Sequence, residues 1–419
     1  MPVTVFRPDQ TEPGGSRRTA HGGRGSCRGR LSGAAIYMDI CPGCPTVEPV
    51  RYEIAETVRL GCSDDFEADA AAAVRAALDP WHSVAGEHPA DVTIERLCEP
   101  PRLIEVQNPS GDGLVTGWSG SQLYIRAAGR WCLVQAPALE GPFAFACEPG
   151  FPIGAVMRSF VRPALQIAAA AHGAIVVHGG AAVLDGRAVI VAGWSESGKT
   201  ETVLALLEQG ASFLSDKWTV VRADGKAACF PVTVGIRRWM LGYAPRLRAA
   251  LSTPGRLRLR FAAALAAVAR TPLRVPLRGR PAGDALERLI VTAERVSISP
   301  TALAAAYGAS PPTETVPLGA LVVLTNTTSG NPAAAYADAA WAARRLARSA
   351  TYERRSYLDL DRRARYAHAS EVRAEVVAEI EAREESRLRV LLERIPVIEI
   401  RTPFPCDPHR IVEPIRALL

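Results

Sequence analysis

Eight residues near the middle of the chain have the types and spacing of a phosphate-binding loop. The segment Gly193-Trp-Ser-Glu-Ser-Gly-Lys-Thr200 fits the pattern Gly-x-x-x-x-Gly-Lys-Ser/Thr at every fixed position. The glycines let the backbone turn so that N–H groups point at phosphate oxygens, and the helix that follows adds the positive end of its dipole. The lysine of such a loop reaches the β- and γ-phosphates, and the threonine binds Mg²⁺. The pattern predicts a site for ATP and Mg²⁺ formed by Gly193, Trp194, Ser195, Glu196, Ser197, Gly198, Lys199 and Thr200.

A phosphoryl-transfer site also needs a carboxylate near the metal ion. Asp216 is the candidate, because it ends the apolar segment Phe213-Leu-Ser and follows the loop after one predicted helix and one predicted strand. It could bind Mg²⁺, accept the proton of an attacking hydroxyl group, or do both. An aspartate after a strand can also be a simple turn former, so both interpretations of Asp216 stay open.

His178 is a second candidate for a place beside the phosphates. It closes the apolar segment Ile175-Val-Val, upstream of the strand that leads into the loop. Sheet pairing could bring this strand end to the phosphate-binding edge. A single histidine beside apolar residues is also common as a hydrogen-bonded core residue. The sequence favours neither interpretation.

The elements that must position these residues follow from apolar periodicity. Ala188–Ala192 is a continuous apolar run, typical of a buried strand, and the loop begins directly after it. Thr200–Gln209 has the apolar spacing of a helix, with Gly210 as its carboxy-terminal cap. Further strands are predicted at Ile175–His178, Ala181–Leu184, Ala211–Leu214, Trp218–Val221, Leu321–Leu324 and Val397–Arg401, and further helices at Phe66–Leu78, Ile153–Ala171, Glu371–Arg394 and His409–Leu418.

The chain divides into three regions by composition. Residues 1–35 are rich in Gly, Arg and Ser with almost no large apolar residues, so a disordered basic tail is predicted there. Residues 36–151 contain short alternating segments between Gly, Pro and Asn clusters, which predict a mostly antiparallel sheet in an accessory domain. Residues 152–419 alternate strands and helices and contain the loop, which predicts an α/β ATP-binding catalytic domain. The alternating segments are Asp91–Leu97, Ser121–Ala127 and Trp131–Ala136.

Composition argues against several classes of function. The formal charge is +6, but six arginines against two acidic residues place +4 in residues 1–35, which leaves +2 for the rest. A body so close to neutrality does not favour binding of nucleic acid. No apolar run reaches the roughly 18–20 residues that span a bilayer, and the amino terminus lacks the apolar region of a signal peptide. The nine cysteines have no framework spacing, which is typical of reduced thiols in a cytoplasmic protein.

Three segments together resemble the catalytic core of bacterial HPr kinase/phosphorylase and its relatives: Val177-His-Gly-Gly-Ala-Ala-Val183, Gly193–Glu201 and Gly210-Ala-Ser-Phe-Leu-Ser-Asp216. The core of that family is similar to phosphoenolpyruvate carboxykinase. The resemblance implies a carboxykinase-like fold, a catalytic carboxylate at Asp216 and a place for His178 beside the transferred phosphate. It implies the phosphate role for Lys199 and the Mg²⁺ role for Thr200, and it adds Glu201 to the nucleotide-binding residues. Relatives are often oligomeric, so the resemblance also allows a homo-oligomer.

Three departures from that family bear on activity. The acidic pair of the family is Asp216-Lys217 here, so its second carboxylate is absent and Lys217 could neutralise phosphate charge instead. Glu196 within the loop is unusual, because a carboxylate repels phosphates unless it faces away or contacts the substrate. The glycine-rich segment that follows the core in HPr kinases is matched only weakly here, by Leu273–Arg280. This weak match disfavours HPr as the acceptor.

The combined expectation is an ATP- and Mg²⁺-dependent kinase that transfers the γ-phosphoryl group to a hydroxyl of a peptide or a small biosynthetic metabolite. It is expected to be cytoplasmic and of the α/β class, with a carboxykinase-like P-loop domain behind a smaller sheet-rich domain. Neither nucleic acid nor a membrane is expected as a partner. The alternatives are a non-catalytic nucleotide-sensing or interaction protein, an HPr-type protein serine kinase/phosphorylase, and chemistry linked to pyrophosphate.

Overall fold

The computed structural model describes residues 50–419 apart from 64–65, 85–87, 103–104, 108–114, 121, 136–140, 254, 258, 262–294, 369–375 and 404. The predicted tail at residues 1–35 and the segment Leu273–Arg280 lie outside this part of the chain. The described residues combine helices with mixed β-sheets, which confirms the α/β class. No helix among them is long and apolar enough to cross a membrane.

The amino-terminal part of the described chain forms one sheet of nine strands. They are β1 (Val50–Ile54), β2 (Val58–Cys62), β3 (Ser83–Val84), β4 (Val92–Arg96), β5 (Glu105–Gln107), β6 (Val115–Ser119), β7 (Gln122–Ala127), β8 (Arg130–Val134) and β9 (Phe143–Cys147). Their order in the sheet is β3-β1-β2-β4-β9-β8-β7-β6-β5. Most neighbours are antiparallel, as predicted, but β4 is parallel to both β2 and β9. The three predicted alternating segments correspond to β4, β7 and β8.

One described cysteine is not a reduced thiol, in contrast to the expectation from the sequence. Cys98 is disulfide-bonded, so the prediction of reduced thiols throughout is wrong for this residue. Spacing patterns reveal a framework of several bonds, whereas one bonded cysteine among the described residues forms no such pattern. Cys132 and Cys147 carry free thiols on paired positions of β8 and β9, with their sulfur atoms 3.0 Å apart.

The second sheet contains the strand that leads into the loop. Its strands are β10 (Ile175–Val177), β11 (Gly179–Leu184), β12 (Arg187–Gly193), β13 (Ser212–Ser215), β14 (Thr219–Val221), β15 (Lys226–Cys229), β18 (Val316–Thr327), β19 (Ala333–Tyr336) and β20 (Val397–Pro403). The order is β10-β14-β15-β18-β12-β11-β13, and β20 pairs with both β18 and β19. β12 lies between the parallel strand β18 and the antiparallel strand β11. The strands β16 (Val234–Arg237) and β17 (Arg295–Ile298) form a separate antiparallel pair.

The described helices are α1 (Ala68–Leu78), α2 (Ile153–Val156), α3 (Arg162–Ala171), α4 (Lys199–Glu208), α5 (Pro245–Ala250), α6 (Pro300–Ala306), α7 (Ala339–Glu353), α8 (Arg355–His368), α9 (Val376–Leu392) and α10 (His409–Leu418). A 3₁₀ helix covers Arg238–Gly242. The helix predicted over Ile153–Ala171 is interrupted by a π-helical segment at Met157–Val161. Pro163 lies two residues after this segment, and its missing N–H removes one helical hydrogen bond there. The first residues of the helix predicted from Glu371 lie outside the described residues.

The second sheet is covered by helices on both faces. Val191 of β12 packs with Leu204 of α4 and with residues of α10, whereas its neighbour Ile190 packs with Leu346 of α7 and with residues of α9. Successive side chains of a strand point to opposite faces. Burial of both faces therefore explains the continuous apolar run of β12.

A third apolar cluster joins the first sheet to the second. Ile94 of β4, Leu165 of α3 and Val220 of β14 belong to it, and all three are almost fully buried. Helix α3 contacts β2 and β4 of the first sheet and β10 of the second. The hydrophobic core thus continues across residue 151, where the sequence suggested a boundary between domains.

Candidate active site

The loop between β12 and α4 has positive φ angles at both of its fixed glycines, which is a conformation that glycine adopts easily. Gly193 has a φ of 154° and Gly198 a φ of 95°, values that residues with a side chain rarely adopt. A Cβ atom at Gly193 would lie 2.5 Å from Ser197 Oγ and 2.9 Å from the carbonyl oxygen of Leu324. Local geometry therefore requires these glycines. Helix α4 begins at Lys199, directly after the second one.

Lys199 is only 8% exposed, and its ammonium group lies against the backbone of the loop. Nζ donates hydrogen bonds to the carbonyl oxygens of Gly193 at 3.0 Å and Trp194 at 2.7 Å. An ammonium group has three N–H donors, so one remains for an anion held by the loop. Burial lowers the pKa of Lys199 to about 8, although the nearby carboxylates of Glu353 and Asp216 oppose this effect. A bound anion would stabilise the charged form further.

The structure brings together the two residues that the sequence assigned to Mg²⁺. Thr200 Oγ1 donates a hydrogen bond of 2.8 Å to Asp216 Oδ1. Asp216 follows β13 and is 5% exposed. Burial raises the pKa of Asp216. The hydrogen bonds from Thr200 and from the backbone N–H of Lys217 lower this pKa, and so do the positive charges of Lys199 and Lys217. The result is a buried hydroxyl–carboxylate pair of oxygen ligands.

This pair fits Mg²⁺ better than a metal held by protein ligands alone. The described residues contain no cluster of three or more His, Cys, Asp or Glu side chains that could hold a metal. Mg²⁺ commonly takes one or two carboxylates and completes its octahedral coordination with phosphate oxygens and water. The Thr200–Asp216 pair therefore suits a Mg²⁺ ion that arrives with a nucleotide.

Strand β11 explains how Asp216 reaches the loop. It is antiparallel to both β12 and β13, so these two strands run in the same direction and end at the same edge of the sheet. A Cβ atom at Gly180 of β11 would lie 3.3 Å from Asp216 Oδ1 and 3.0 Å from a methyl group of Val203. The absence of a side chain at Gly180 thus leaves room for the aspartate beside α4.

His178 lies at the same edge, between β10 and β11, and is buried. Its Nδ1 atom is 2.7 Å from Ser349 Oγ, and its ring centroid is 4.9 Å from that of Trp218. Burial lowers its pKa to about 2, and the charges of Lys199 and Lys217 add to this effect. His178 is therefore neutral at physiological pH. His178 is thus a hydrogen-bonded core residue, and its place beside a transferred phosphate stays a prediction.

The other predicted loop residues divide into exposed and buried ones. Trp194, Ser195 and Glu196 are exposed. Glu196 has a φ of 60° and forms an ion pair of 2.9 Å with Arg237, so its carboxylate is neutralised. Ser197 Oγ is buried with no hydrogen-bond partner among the described residues, which suits a ligand in the loop.

Glu201 is partly buried one residue after Thr200, in the first turn of α4. Burial raises the pKa of Glu201, and the nearby charge of Asp216 adds to this effect. The carboxylate of Glu201 therefore interacts electrostatically with Asp216, one of the two predicted Mg²⁺ ligands.

The last turn of α7 supplies three site residues that the sequence did not indicate. Ser349 contacts His178, the ring of Tyr352 lies 4.8 Å from that of Trp194, and Glu353 Oε2 lies 3.1 Å from Lys217 Nζ. The carboxylate of Glu353 is 13% exposed. A helix in this region can be predicted from the spacing of its alanines, but no local signal shows that its end meets the loop. A carboxylate from a distant element thus pairs with Lys217, the residue after Asp216.

The end of α7 is held by a buried ion pair with α9. Arg354 Nη1 donates to Glu384 Oε1 at 2.8 Å, and a second hydrogen bond joins Nη2 to Oε2. Both side chains are almost fully buried. A bidentate arginine–carboxylate contact fixes orientation as well as distance. Glu353, the preceding residue, is thereby held in a defined position.

No protein-family model and no curated protein matches this chain.

Replacement of Lys199 by alanine should weaken binding of MgATP by about 10- to 100-fold. Hydrogen bonds to charged groups contribute roughly 1.5–3 kcal/mol, and the substitution removes the buried cation of the loop. Isothermal titration calorimetry on wild type and Lys199→Ala measures the change. Lys226→Ala is the matched control, because Lys226 is exposed at the start of β15. Equal affinities of Lys199→Ala and wild type would contradict the assignment of the loop.

The low pKa of His178 should make the free energy of unfolding depend on pH. The unfolded chain protonates this histidine near pH 6.5, whereas the folded chain does not, so stability is present above that pH and falls below it. Between pH 7.5 and pH 5 the loss should be about 2 kcal/mol. Urea unfolding at both pH values, on wild type and His178→Gln, isolates this contribution from those of Asp216 and Glu201. If the free energy of unfolding fell equally in both proteins, the pKa of His178 would not be lowered by folding, and the histidine would be protonated in the folded state at pH 5.

Proposed function

We propose that this protein is an ATP- and Mg²⁺-dependent kinase that transfers the γ-phosphoryl group to a hydroxyl of a peptide or a small metabolite. The observation that carries the proposal is the hydrogen bond between Thr200 and Asp216. It joins a residue at the start of α4 to a residue after β13, and a phosphoryl-transfer site needs such a hydroxyl and carboxylate side by side. The carboxykinase-like fold implied by the resemblance is part of the same proposal.

Each group at this edge of the sheet has a separate role in the proposed reaction. Bound MgATP supplies the phosphoryl group and the metal charge that stabilises its transfer. Loop N–H groups and Lys199 hold phosphate oxygens. Asp216 orients the acceptor hydroxyl and accepts its proton. Because burial raises the pKa of Asp216, its basicity moves towards that of an effective general base near neutral pH.

Lys217 and Glu353 form a second charged pair in the proposed site. Lys217 directly follows the catalytic carboxylate, and its backbone has a φ of 61°. In the proposed mechanism its ammonium group stabilises negative charge on the transferred phosphoryl group. Glu353 positions that ammonium group through the 3.1 Å ion pair. His178 acts indirectly by positioning the end of α7 through Ser349.

A nucleotide-sensing protein without catalysis is the second candidate. The observation in its favour is Lys217, which occupies the position where the resembling family has a second acidic residue. Such a protein would bind MgATP through the loop without transferring phosphate. The two candidates differ in what removal of the Asp216 charge does.

Replacement of Asp216 by asparagine should retain MgATP binding and lower turnover by roughly 10²–10⁴-fold. Lys199 and the loop still hold the phosphates, whereas general-base catalysis contributes about that factor. Calorimetry with ATP and an ADP-release assay are run on the same preparation. Asp224→Asn is the matched control, since Asp224 is an exposed turn residue that accepts a hydrogen bond from the Lys226 backbone.

If Asp216 were only a turn former, Asp216→Asn would keep both turnover and stability, because asparagine forms turns equally well. Absence of ADP release from wild type with a range of hydroxyl acceptors, together with normal ATP binding, would favour the sensor.

Replacement of Glu353 by glutamine should lower turnover by about tenfold without weakening MgATP binding. The substitution leaves Lys217 poorly positioned, and small errors of position are costly in catalysis. It also removes a negative charge from the site, which favours an anionic ligand. Glu393→Gln is the control, because Glu393 forms an exposed ion pair with Arg389 on the surface. A parallel loss of affinity and turnover would instead indicate that the loop itself is distorted.

A further inference from the structure

A surface cavity lined by arginines lies after β16, whose last residue, Arg237, pairs with Glu196 of the loop. The 3₁₀ helix, α5 and the residues after α5 line it, and its volume is about 500 Å³. Among its lining residues are Arg238, Trp239, Arg248, Arg256, Leu259 and Arg260. Ligand sites commonly have volumes of about 300–1,000 Å³. The cavity is thus large enough for several side chains of a bound molecule.

The positive charge of this cavity is not balanced within the described part of the chain. Arg238, Arg248 and Arg260 form no ion pair with a described carboxylate, and Arg256 contacts only the hydroxyl of Thr253, at 3.5 Å. Two arginines that do not line the cavity, in contrast, have hydrogen-bonding or ion-pair partners. Arg237 pairs with Glu196, and Arg246 is hydrogen-bonded to the carbonyl oxygens of Leu207 and Tyr307.

Four arginines that line one concave surface give that surface a positive potential. This potential favours an anionic ligand. Arginine matches carboxylates by paired N–H donors, which adds geometric selectivity to the charge attraction.

The cavity begins one residue after an arginine that contacts the phosphate-binding loop. Arg238 lines the cavity and follows Arg237, whose guanidinium Nη2 lies 2.9 Å from Glu196 Oε1 in the loop. Arg237 therefore links the segment that lines the cavity to the loop. Under the proposed kinase function, the cavity would hold part of an acceptor whose hydroxyl approaches the loop.

We propose that the arginine-lined cavity binds an acidic segment of a peptide acceptor, next to the hydroxyl that receives phosphate. The choice of a peptide rests on the size of the cavity and on its mixed surface. Trp239, which is 38% exposed, provides an apolar surface beside the charges. Tryptophan and arginine are the residues that most often dominate protein recognition. The inference rests on the proposed kinase function, whose acceptor it identifies by chemical class.

The test measures binding of a defined acidic peptide without nucleotide. The probe is a fluorescein-labelled peptide with about six glutamates around one serine, and the comparison peptide carries glutamines instead, both read by anisotropy at about 50 and 200 mM salt. The glutamate peptide should bind at least about tenfold more tightly than the glutamine peptide at low salt, and this preference should shrink at high salt.

Reversal of charge in the cavity should abolish the preference. Arg248→Glu combined with Arg260→Glu should weaken binding of the glutamate peptide by about tenfold or more, since like charges then face each other. Arg383→Glu combined with Arg394→Glu changes net charge equally on exposed positions of α9 and after it, and should have little effect. If the charge-reversed protein melts early, the double substitution to glutamine replaces it and should give a smaller loss of the same kind.

Three results would overturn the proposal. They are equal binding of the two peptides to wild type, equal loss in the cavity and control variants, and tighter binding of a single-stranded DNA oligonucleotide than of the glutamate peptide at the same salt. ATP binding is measured separately on each preparation. A protein that binds the peptide but not ATP would disprove the kinase and keep the cavity as an acidic-peptide site, so the two failures are distinguishable.

Discussion

Two opposite charges buried at one edge of the second sheet impose the main constraint on this structure. Lys199 and Asp216 are both largely removed from water, and an unpaired buried charge is very costly. The protein meets this cost with specific hydrogen bonds. Two loop carbonyl oxygens accept from Lys199, and Thr200 and a backbone N–H donate to Asp216. The loop conformation, the two glycines and the start of α4 all follow from the need to present these partners.

The two glycines at the start of β11 have different reasons. A Cβ at Gly180 would crowd Asp216, so this glycine is required by the site. A Cβ at Gly179 would lie 2.9 Å from the carbonyl oxygen of Val191 in β12, so this glycine is required by close pairing within the sheet. Because β11 is the common neighbour of β12 and β13, both glycines lie where the loop and its carboxylate come together.

Helix α7 connects this edge to the rest of the α/β part. Its last turn contacts His178, Trp194 and Lys217, and the buried Arg354–Glu384 pair ties that turn to α9. Removal of one partner of such a pair costs about 3–5 kcal/mol, because the other charge is left buried and unpaired. Arg237, which precedes the first residue of the arginine-lined cavity, pairs with Glu196 of the loop. The loop is therefore contacted from two separate parts of the chain, by Tyr352 of α7 and by Arg237.

The local features of the site could be predicted from the sequence. The apolar run of β12, the glycine positions and the helix after Lys199 are properties of consecutive residues, and backbone conformation at such short range follows from residue type. The helix expected over Ile153–Ala171 was confirmed over its whole length, although the apolar spacing did not reveal the π-helical segment at Met157–Val161. Only the tertiary structure decided that Glu353 pairs with Lys217 and Ser349 with His178. These contacts depend on strand order and on helix packing between residues up to 171 positions apart, and apolar periodicity shows which face of a helix is buried but not what lies against its end.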